Sequence, residues 1–349
     1  MNKINFGKTK NNEDVFLYFF ENEKGWKMIV SNLGAVLTNL WITDKSGKLV
    51  DVVLGFDTLA EYETNDDSYL GATIGRSANR LAEAKFELNG ASYQLSKNDN
   101  ENNLHSGPNG YQIRMWEVKA LEEDSITFFL HSPDGDQGYP GALDLEVSYQ
   151  LTEEGIKITY LGQSDKDTIF NPTNHSYFNL NGHQSGTILN HRLKLNASAF
   201  TPMKDSKSIP TGEIASVEGT PMDFRISKAI GQDIDSDFEQ LVYAKGYDHN
   251  FVLDKEFDTF AELIGDQSGI RMKAATDLPG VQFYSGNFFT GLEGKEGAVY
   301  KKREGMCLET QYFPNAVNEP NFDTPLLEKN KPANYWTTYS FDIESERID

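Results

Sequence analysis

Apolar and polar positions alternate along most of this chain with a period of two. The alternation is strict in Leu143-Asp144-Leu145-Glu146-Val147-Ser148-Tyr149-Gln150-Leu151, stops at Glu153-Glu154-Gly155 and resumes in Ile156-Lys157-Ile158-Thr159-Tyr160. Leu193-Lys194-Leu195 and Tyr339-Ser340-Phe341-Asp342-Ile343 repeat it. Such a pattern predicts strands with one buried and one wet face. Ala35 to Thr43, the turn Asp44-Lys45-Ser46-Gly47-Lys48, and Leu49 to Leu54 read as a hairpin. A second hairpin is predicted where Phe86-Glu87-Leu88 and Tyr93-Gln94-Leu95 flank Asn89-Gly90, a pair suited to a tight primed turn. No segment sustains a helical period for several turns. Asp235 to Ala244 predicts one short helix, with Phe238, Leu241 and Val242 loosely spaced.

Many strands separated by Gly and Asp/Asn turns predict an all-β protein, a large antiparallel sandwich. No Pro- or Ser-rich tract, charge block or fixed-period repeat divides the chain, so residues 1–349 are expected to form a single domain; the length exceeds the usual domain size, but all-β sandwiches can run past about two hundred residues as one unit.

Charge narrows the partners. Lys plus Arg total 32 against 53 Asp plus Glu, a formal charge of -21. So acidic a chain repels phosphate backbones and anionic membranes, which argues against nucleic-acid and membrane partners. A local basic pocket would still permit a sugar phosphate, and solubility alone accounts for most of the charge. The single cysteine, Cys307, excludes an internal disulfide framework. The N-terminus carries no apolar run of signal-peptide length, and no stretch approaches the ~20 apolar residues of a membrane span. A soluble cytoplasmic protein is the expectation.

Candidate chemistry concentrates in Asn171-Pro172-Thr173-Asn174-His175-Ser176-Tyr177-Phe178-Asn179-Leu180, which gathers an imidazole, amides, hydroxyls and aromatic rings. A pocket for a small polyhydroxylated ligand needs this mixture of donors, acceptors, a flat apolar face and a group that titrates near neutrality. The plain alternative is a structural turn, which Asn and Pro favour. Further polar clusters are Gly75 to Arg80, Asn102 to Gly107, Gly246 to Asn250 and Cys307 to Gln311, with a more apolar run from Pro279 to Asn287. Of the six histidines, His131, His183 and His191 read as structural or solvated, and His249 as support for Asp248. His105 and His175 lie in the densest polar clusters and are the candidates for acid–base work. Glu309 lies in an apolar, amide-rich stretch, where desolvation would raise its pKa and make it a better base near neutrality.

Taken in order, GRSANR, NLHSG, SPDGDQGYPG (Ser132 to Gly141), NPTNHSYFNL, IPTGE with GTPMDFR, GYDHNFVL, PGVQFYSGNF and CLETQYFPNAVN resemble the galactose mutarotase, or aldose 1-epimerase, family over nearly the whole chain. The resemblance implies a β-supersandwich with an open cleft. It implies interconversion of the α and β anomers of free hexoses such as galactose and glucose, with no metal and no cofactor; a monomer or homodimer is expected, and the sequence does not decide between them. Carried over motif by motif, it implies Glu309 as the base for the C1 hydroxyl, His175 as the acid for the ring oxygen, and His105 as the group that positions and polarises the reacting oxygen. Asn79, Arg80, Tyr177, Asp248 and Gln282, with Ser176 beside them, would hold sugar hydroxyls, and Phe283 would pack on the sugar's apolar face. The chain departs from the family pattern in Tyr111-Gln112-Ile113-Arg114-Met115, and at Tyr312 and Asn315, where His and Asp are common.

Three other readings compete. A sugar-binding module would not require a proton relay. A glycosidase would use Asp248 and Glu309 as its carboxyl pair. A metal enzyme would draw on His105, His175, His249 and Glu309, although none of these forms a short ligand-spaced pair. A hexose-6-phosphate epimerase, close in chemistry, would need cations, for which Arg76, Arg80 and Arg114 are the candidates.

Overall fold

The computed structural model describes residues 2–64 and 67–344. Three antiparallel sheets dominate. The largest has nine strands and runs, edge to edge, Glu117–Leu121, Ser125–Ser132, Leu143–Leu151, Gly155–Ser164, Ala333–Ile343, Ile270–Thr276, Ala261–Ile264, Arg192–Leu195 and Lys228–Ala229. A five-stranded sheet is built from the N-terminal strands, Asn2–Lys8 to Leu49–Asp51 in chain order. A second five-stranded sheet runs Ala215–Ser216, Ala199–Phe200, Asp248–Val252, Gly280–Tyr284 and Cys307–Gln311. Only two short α-helices, Leu59–Tyr62 and Glu239–Ala244, occur among the described residues.

The alternation read from the sequence decides how the sheets stack. Leu143, Leu145, Val147, Tyr149 and Leu151 are all buried, and the same parity on the last long strand buries Tyr339 and Phe341. Burying each such side chain contributes ~1.5–3 kcal/mol. That face meets both smaller sheets. Trp26, in the turn that leads into strand Lys27–Ser31 of the N-terminal sheet, sits edge-on to Phe341 with ring centroids 6.2 Å apart. The Tyr339 hydroxyl donates to the Leu308 carbonyl at 2.8 Å, and the Thr310 and Thr337 hydroxyls share a hydrogen bond of 2.6 Å. The sandwich is therefore one large sheet covering two smaller ones over a shared hydrophobic core.

Two expectations change in detail. The strand expected over Leu49 to Leu54 pairs only through Asp51. The chain then leaves the sheet edge, and the Leu54 N–H donates to the Tyr177 carbonyl at 2.9 Å, tying this segment to the His175 region. The helix expected over Asp235 to Ala244 forms only as Glu239–Ala244. Its N-cap position holds Phe238, which offers no side-chain acceptor, and Asp235 pairs instead with Arg303 at 2.6 Å. The Asn89-Gly90 hairpin is as expected: both residues have left-handed φ, 52° and 77°, between strands Lys85–Leu88 and Ala91–Gln94.

Candidate active site

Strands Asp248–Val252, Gly280–Tyr284 and Cys307–Gln311 lie side by side. Their register sets Asp248, Tyr284 and Cys307 in one row, and Asn250, Gln282 and Glu309 in the next. Successive side chains of a strand point to opposite faces, so these six share a face. Asp248, Tyr284 and Glu309 form one wall of a cavity of about 660 Å³. Asn79, Arg80, His105, His175 and Tyr177 contribute the facing wall, and residues 288–293 the rim.

His175 reaches this cavity from a segment stitched to the turn at residues 69–72. The Gly71 N–H donates to the His175 carbonyl at 3.0 Å, and the His175 N–H donates to the Ala72 carbonyl at 2.9 Å. Gly71 has φ +68°, and a Cβ there would lie 2.2 Å from the Leu37 carbonyl oxygen, so only glycine fits. His105 follows Asn103–Leu104, which pairs with Arg80–Leu81. The Asn79 backbone N–H donates to His105 Nδ1 at 3.1 Å. With Nδ1 held as an acceptor, the neutral ring carries its proton on Nε2 and presents an N–H donor.

His175 Nε2 lies 3.6 Å from Glu309 Oε2, with side chains 6% and 3% exposed. On its other edge, His175 Nδ1 is 3.6 Å from Cys307 Sγ. The two imidazoles stand nearly perpendicular, at 83°, with centroids 5.3 Å apart. Glu309 Oε2 is buried without a hydrogen-bond partner. Burial, with the nearby Asp248 carboxyl, drives the Glu309 pKa well above the usual carboxylate range, and Arg80 pulls weakly the other way. Burial lowers His175 to about 4. Burial, together with the charges of His175 and Arg80, holds His105 well below its usual value. Between the His175 and Glu309 pKa values the pair therefore holds one proton, and desolvation places it on the carboxyl.

Residues 17–340 match the family model described as aldose 1-epimerase. The chain belongs to the aldose 1-epimerase family. It is 42% identical over 313 residues to the galactose mutarotase of Sus scrofa, covering 89% of each chain. It is 37% identical to the aldose 1-epimerase of Haemophilus influenzae, covering 93% of this chain and 95% of that one. Among solved structures, an aldose epimerase homologue from C. elegans superposes with a TM-score of 0.88 at 30% identity, covering 94% of this chain and 99% of the other.

Within this aldose 1-epimerase family member, not every residue singled out from the sequence faces the cavity. Phe283 does not: it lies on the opposite face of its strand, fully buried and stacked on Tyr247 with centroids 5.1 Å apart. One step of strand parity separates it from Tyr284, which does line the cavity. Ser176 is buried and donates its hydroxyl to Asn174 Oδ1 at 2.6 Å, away from the lining. Gln282 is also buried; its amide donates to Asp248 Oδ1 at 2.7 Å, so it orients that carboxylate. Burial raises the Asp248 pKa, while Arg80 and the Gln282 hydrogen bond lower it. Arg80 is itself anchored, Nε to Asp99 Oδ2 at 2.6 Å.

The other histidines lie elsewhere. His249 faces the core against Phe200, accepting the Asp248 N–H on Nδ1. His131 is exposed beside Asp144, His183 bonds the Tyr300 hydroxyl, and His191 is buried and accepts the Leu180 N–H. The four-residue metal set does not assemble. His105, His175 and Glu309 bring donor atoms within 4.8 Å of one another. Yet His105 Nδ1 is occupied and its Nε2 is protonated, so neither nitrogen offers a metal a lone pair.

Of the three phosphate candidates, Arg80 lines the cavity and the other two are committed elsewhere. Arg76 is buried on the Pro140 and Gly141 carbonyls, and Arg114 pairs with Asp136. The departures at Tyr111 to Met115, Tyr312 and Asn315 do not line the cavity; Asn315 instead donates its backbone N–H to the Arg80 carbonyl at 2.8 Å. Tyr69, Phe288 and Phe289 also line the cavity and were not singled out from the sequence; they reach it through loops that carry no periodic signal.

Proposed function

We propose that the chain is an aldose 1-epimerase that interconverts the α and β anomers of free hexoses such as galactose and glucose, with His175 and Glu309 as its proton-transfer pair. The observation that carries this reading is the 3.6 Å approach of His175 Nε2 to Glu309 Oε2 inside a cavity large enough for a hexose.

Opening a cyclic hemiacetal needs one proton removed from O1 and one delivered to O5. A pair that holds one proton is suited to both. Sugar hydroxyls entering the cavity supply the polar partners that Glu309 lacks, which favours its anion. The shared proton then moves to His175, giving a carboxylate base and an imidazolium acid. Glu309 takes the O1 proton as His175 protonates O5, and the C1–O5 bond breaks to give the open-chain aldehyde. Rotation about C1–C2 turns the other face of the carbonyl to O5. Reclosure returns a proton from O5 to His175 and from Glu309 to O1, restoring the starting pair. Each positioned transfer is worth ~10²–10⁴-fold in rate. His105, holding its Nε2–H forward, polarises the reacting oxygen.

Asp248, Arg80, Asn79 and Tyr177 grip hydroxyls, and Gln282 acts through Asp248. Tyr284, with Phe288 and Phe289 at the rim, offers the flat apolar surface expected of Phe283. The reading extends to a cytoplasmic enzyme of hexose metabolism, working as a monomer or homodimer. Polarimetry on a panel of freshly dissolved aldoses tests it: accelerated relaxation for hexoses supports the reading, and relaxation at the buffer rate for every sugar rejects it.

A further inference from the structure

Both cavity imidazoles touch the same ring. Tyr69 lies edge-on to His105 with centroids 4.6 Å apart and tilted against His175 at 5.6 Å. It lines the cavity yet is only 7% exposed. Its backbone has φ +55°, a left-handed conformation that is unfavourable for a bulky residue. A position under that constraint would accept Gly or Asn more readily, so an aromatic residue there needs a reason beyond the turn. The same turn supplies one. The Ala72 N–H donates to the Tyr69 carbonyl at 3.0 Å, and the neighbouring Gly71 N–H and Ala72 carbonyl bond the backbone of His175. The strained residue and the proposed acid are thus held by one hydrogen-bonded unit.

We propose that Tyr69 is a positioning residue for the epimerase reaction: its ring fixes the mutual orientation of His105 and His175 and shields both from water. The proposal rests on the mutarotase reading for its effect on turnover, but not for its effect on the imidazoles. The titratable and charged groups around His175 are Glu309, Cys307, His105, Tyr177 and Tyr284. Around His105 they are His175 and Arg80, and Asp248 acts on Glu309 from the adjoining strand. None of these besides Tyr69 packs its ring on both imidazoles among the described residues. Loss of that ring admits water to both, and water restores the charged form toward its ordinary range.

The test compares Tyr69→Phe, which keeps the ring, with Tyr69→Gly, which removes it and relieves the backbone. Imidazole C2–H resonances of the protein without sugar are followed against pH, and kcat and KM are measured by polarimetry. In Tyr69→Gly the His175 titration is expected to rise by about one unit or more. Its kcat should fall at least about tenfold, with KM changed less than about threefold, as when a transition-state contact is lost. Tyr69→Phe should stay within about threefold of the parent in kcat, with unmoved titrations. Unmoved imidazole titrations and unchanged kcat in Tyr69→Gly would overturn the proposal, as would equal damage in Tyr69→Phe. A lower Tm with unmoved titrations would assign Tyr69 a packing role only and equally overturn it. Should Tyr69→Gly not fold, Tyr69→Leu carries the same readouts. An inactive parent protein would defeat the mutarotase reading and leave the titration arm standing.

Discussion

His175 and Glu309 face each other across 3.6 Å although 134 positions separate them in the chain, and both are almost wholly withdrawn from water. Withdrawal does the electrostatic work. It lowers His175 and raises Glu309, so that a single proton is held between them in the interval that separates their two pKa values.

The pH dependence of turnover follows from that count. Below about 4 His175 gains a proton while Glu309 keeps its own, leaving no base. Above the raised Glu309 pKa the pair has no proton to deliver. The pH profile of kcat/KM should therefore be bell-shaped, with its acid limb near 4 and its alkaline limb well above the usual carboxylate range. An acid limb at an ordinary histidine pKa would show that His175 is not desolvated in solution.

Asp248 contributes to the second limb, since its carboxyl helps to raise Glu309. Asp248→Asn should raise KM by about tenfold, the loss of one charged hydrogen-bonding group, and move the alkaline limb to lower pH. A KM and limb identical to the parent would remove Asp248 from both roles.

Substitution of the imidazole separates the acid from the rest of the site. His175→Asn should lower kcat by about 10²–10⁴-fold with the fold intact by circular dichroism. A loss below about tenfold would transfer the role of acid to His105.

Buried neutral histidines also set an acid limit on stability. His175 and His249 titrate at about 4 and about 3 in the folded protein, against an ordinary value of ~6.5 when unfolded. The unfolded chain thus binds more protons between those values, and stability falls as pH drops below 6.5. From His175 alone the loss approaches ~3 kcal/mol by pH 4. Glu309 acts with the opposite sign: its raised pKa gives a contribution present at low pH that is lost as pH rises through the folded value. Urea midpoints across pH 4–7 measure the balance, and a midpoint that rises steadily toward pH 4 would contradict buried neutral imidazoles.

Away from the cavity, Lys295 Nζ is buried 2.6 Å from Asp51 Oδ2 and also bonds the Thr38 carbonyl, pinning the rim hairpin to the N-terminal sheet. Lys295→Met leaves Asp51 buried without its cation and should cost about 3–5 kcal/mol of unfolding free energy. An unchanged denaturation midpoint would mean that Asp51 finds another partner.

The sequence made the layers legible because strand parity is local: Leu143 to Leu151 announces its buried face residue by residue. The Asn89-Gly90 turn was legible for the same reason, since two adjacent residues suffice to make it. Phe283 was misassigned because a run of apolar and aromatic residues hides which face looks outward; only the pairing of Gln282 with Glu309 resolves it. The approach of His175 to Glu309 came from the order of family motifs, as no spacing in the chain encodes it. Tyr69 was illegible because its contacts depend on a left-handed turn and two distant loops.

Anomer exchange at equilibrium, measured by NMR magnetisation transfer between the α and β C1 protons of galactose, tests the His175–Glu309 relay most directly. The parent protein should exchange the two signals far faster than buffer, and Glu309→Gln, folded by circular dichroism, should slow that exchange by about 10²–10⁴-fold. Exchange by Glu309→Gln at a rate close to that of the parent would contradict the relay.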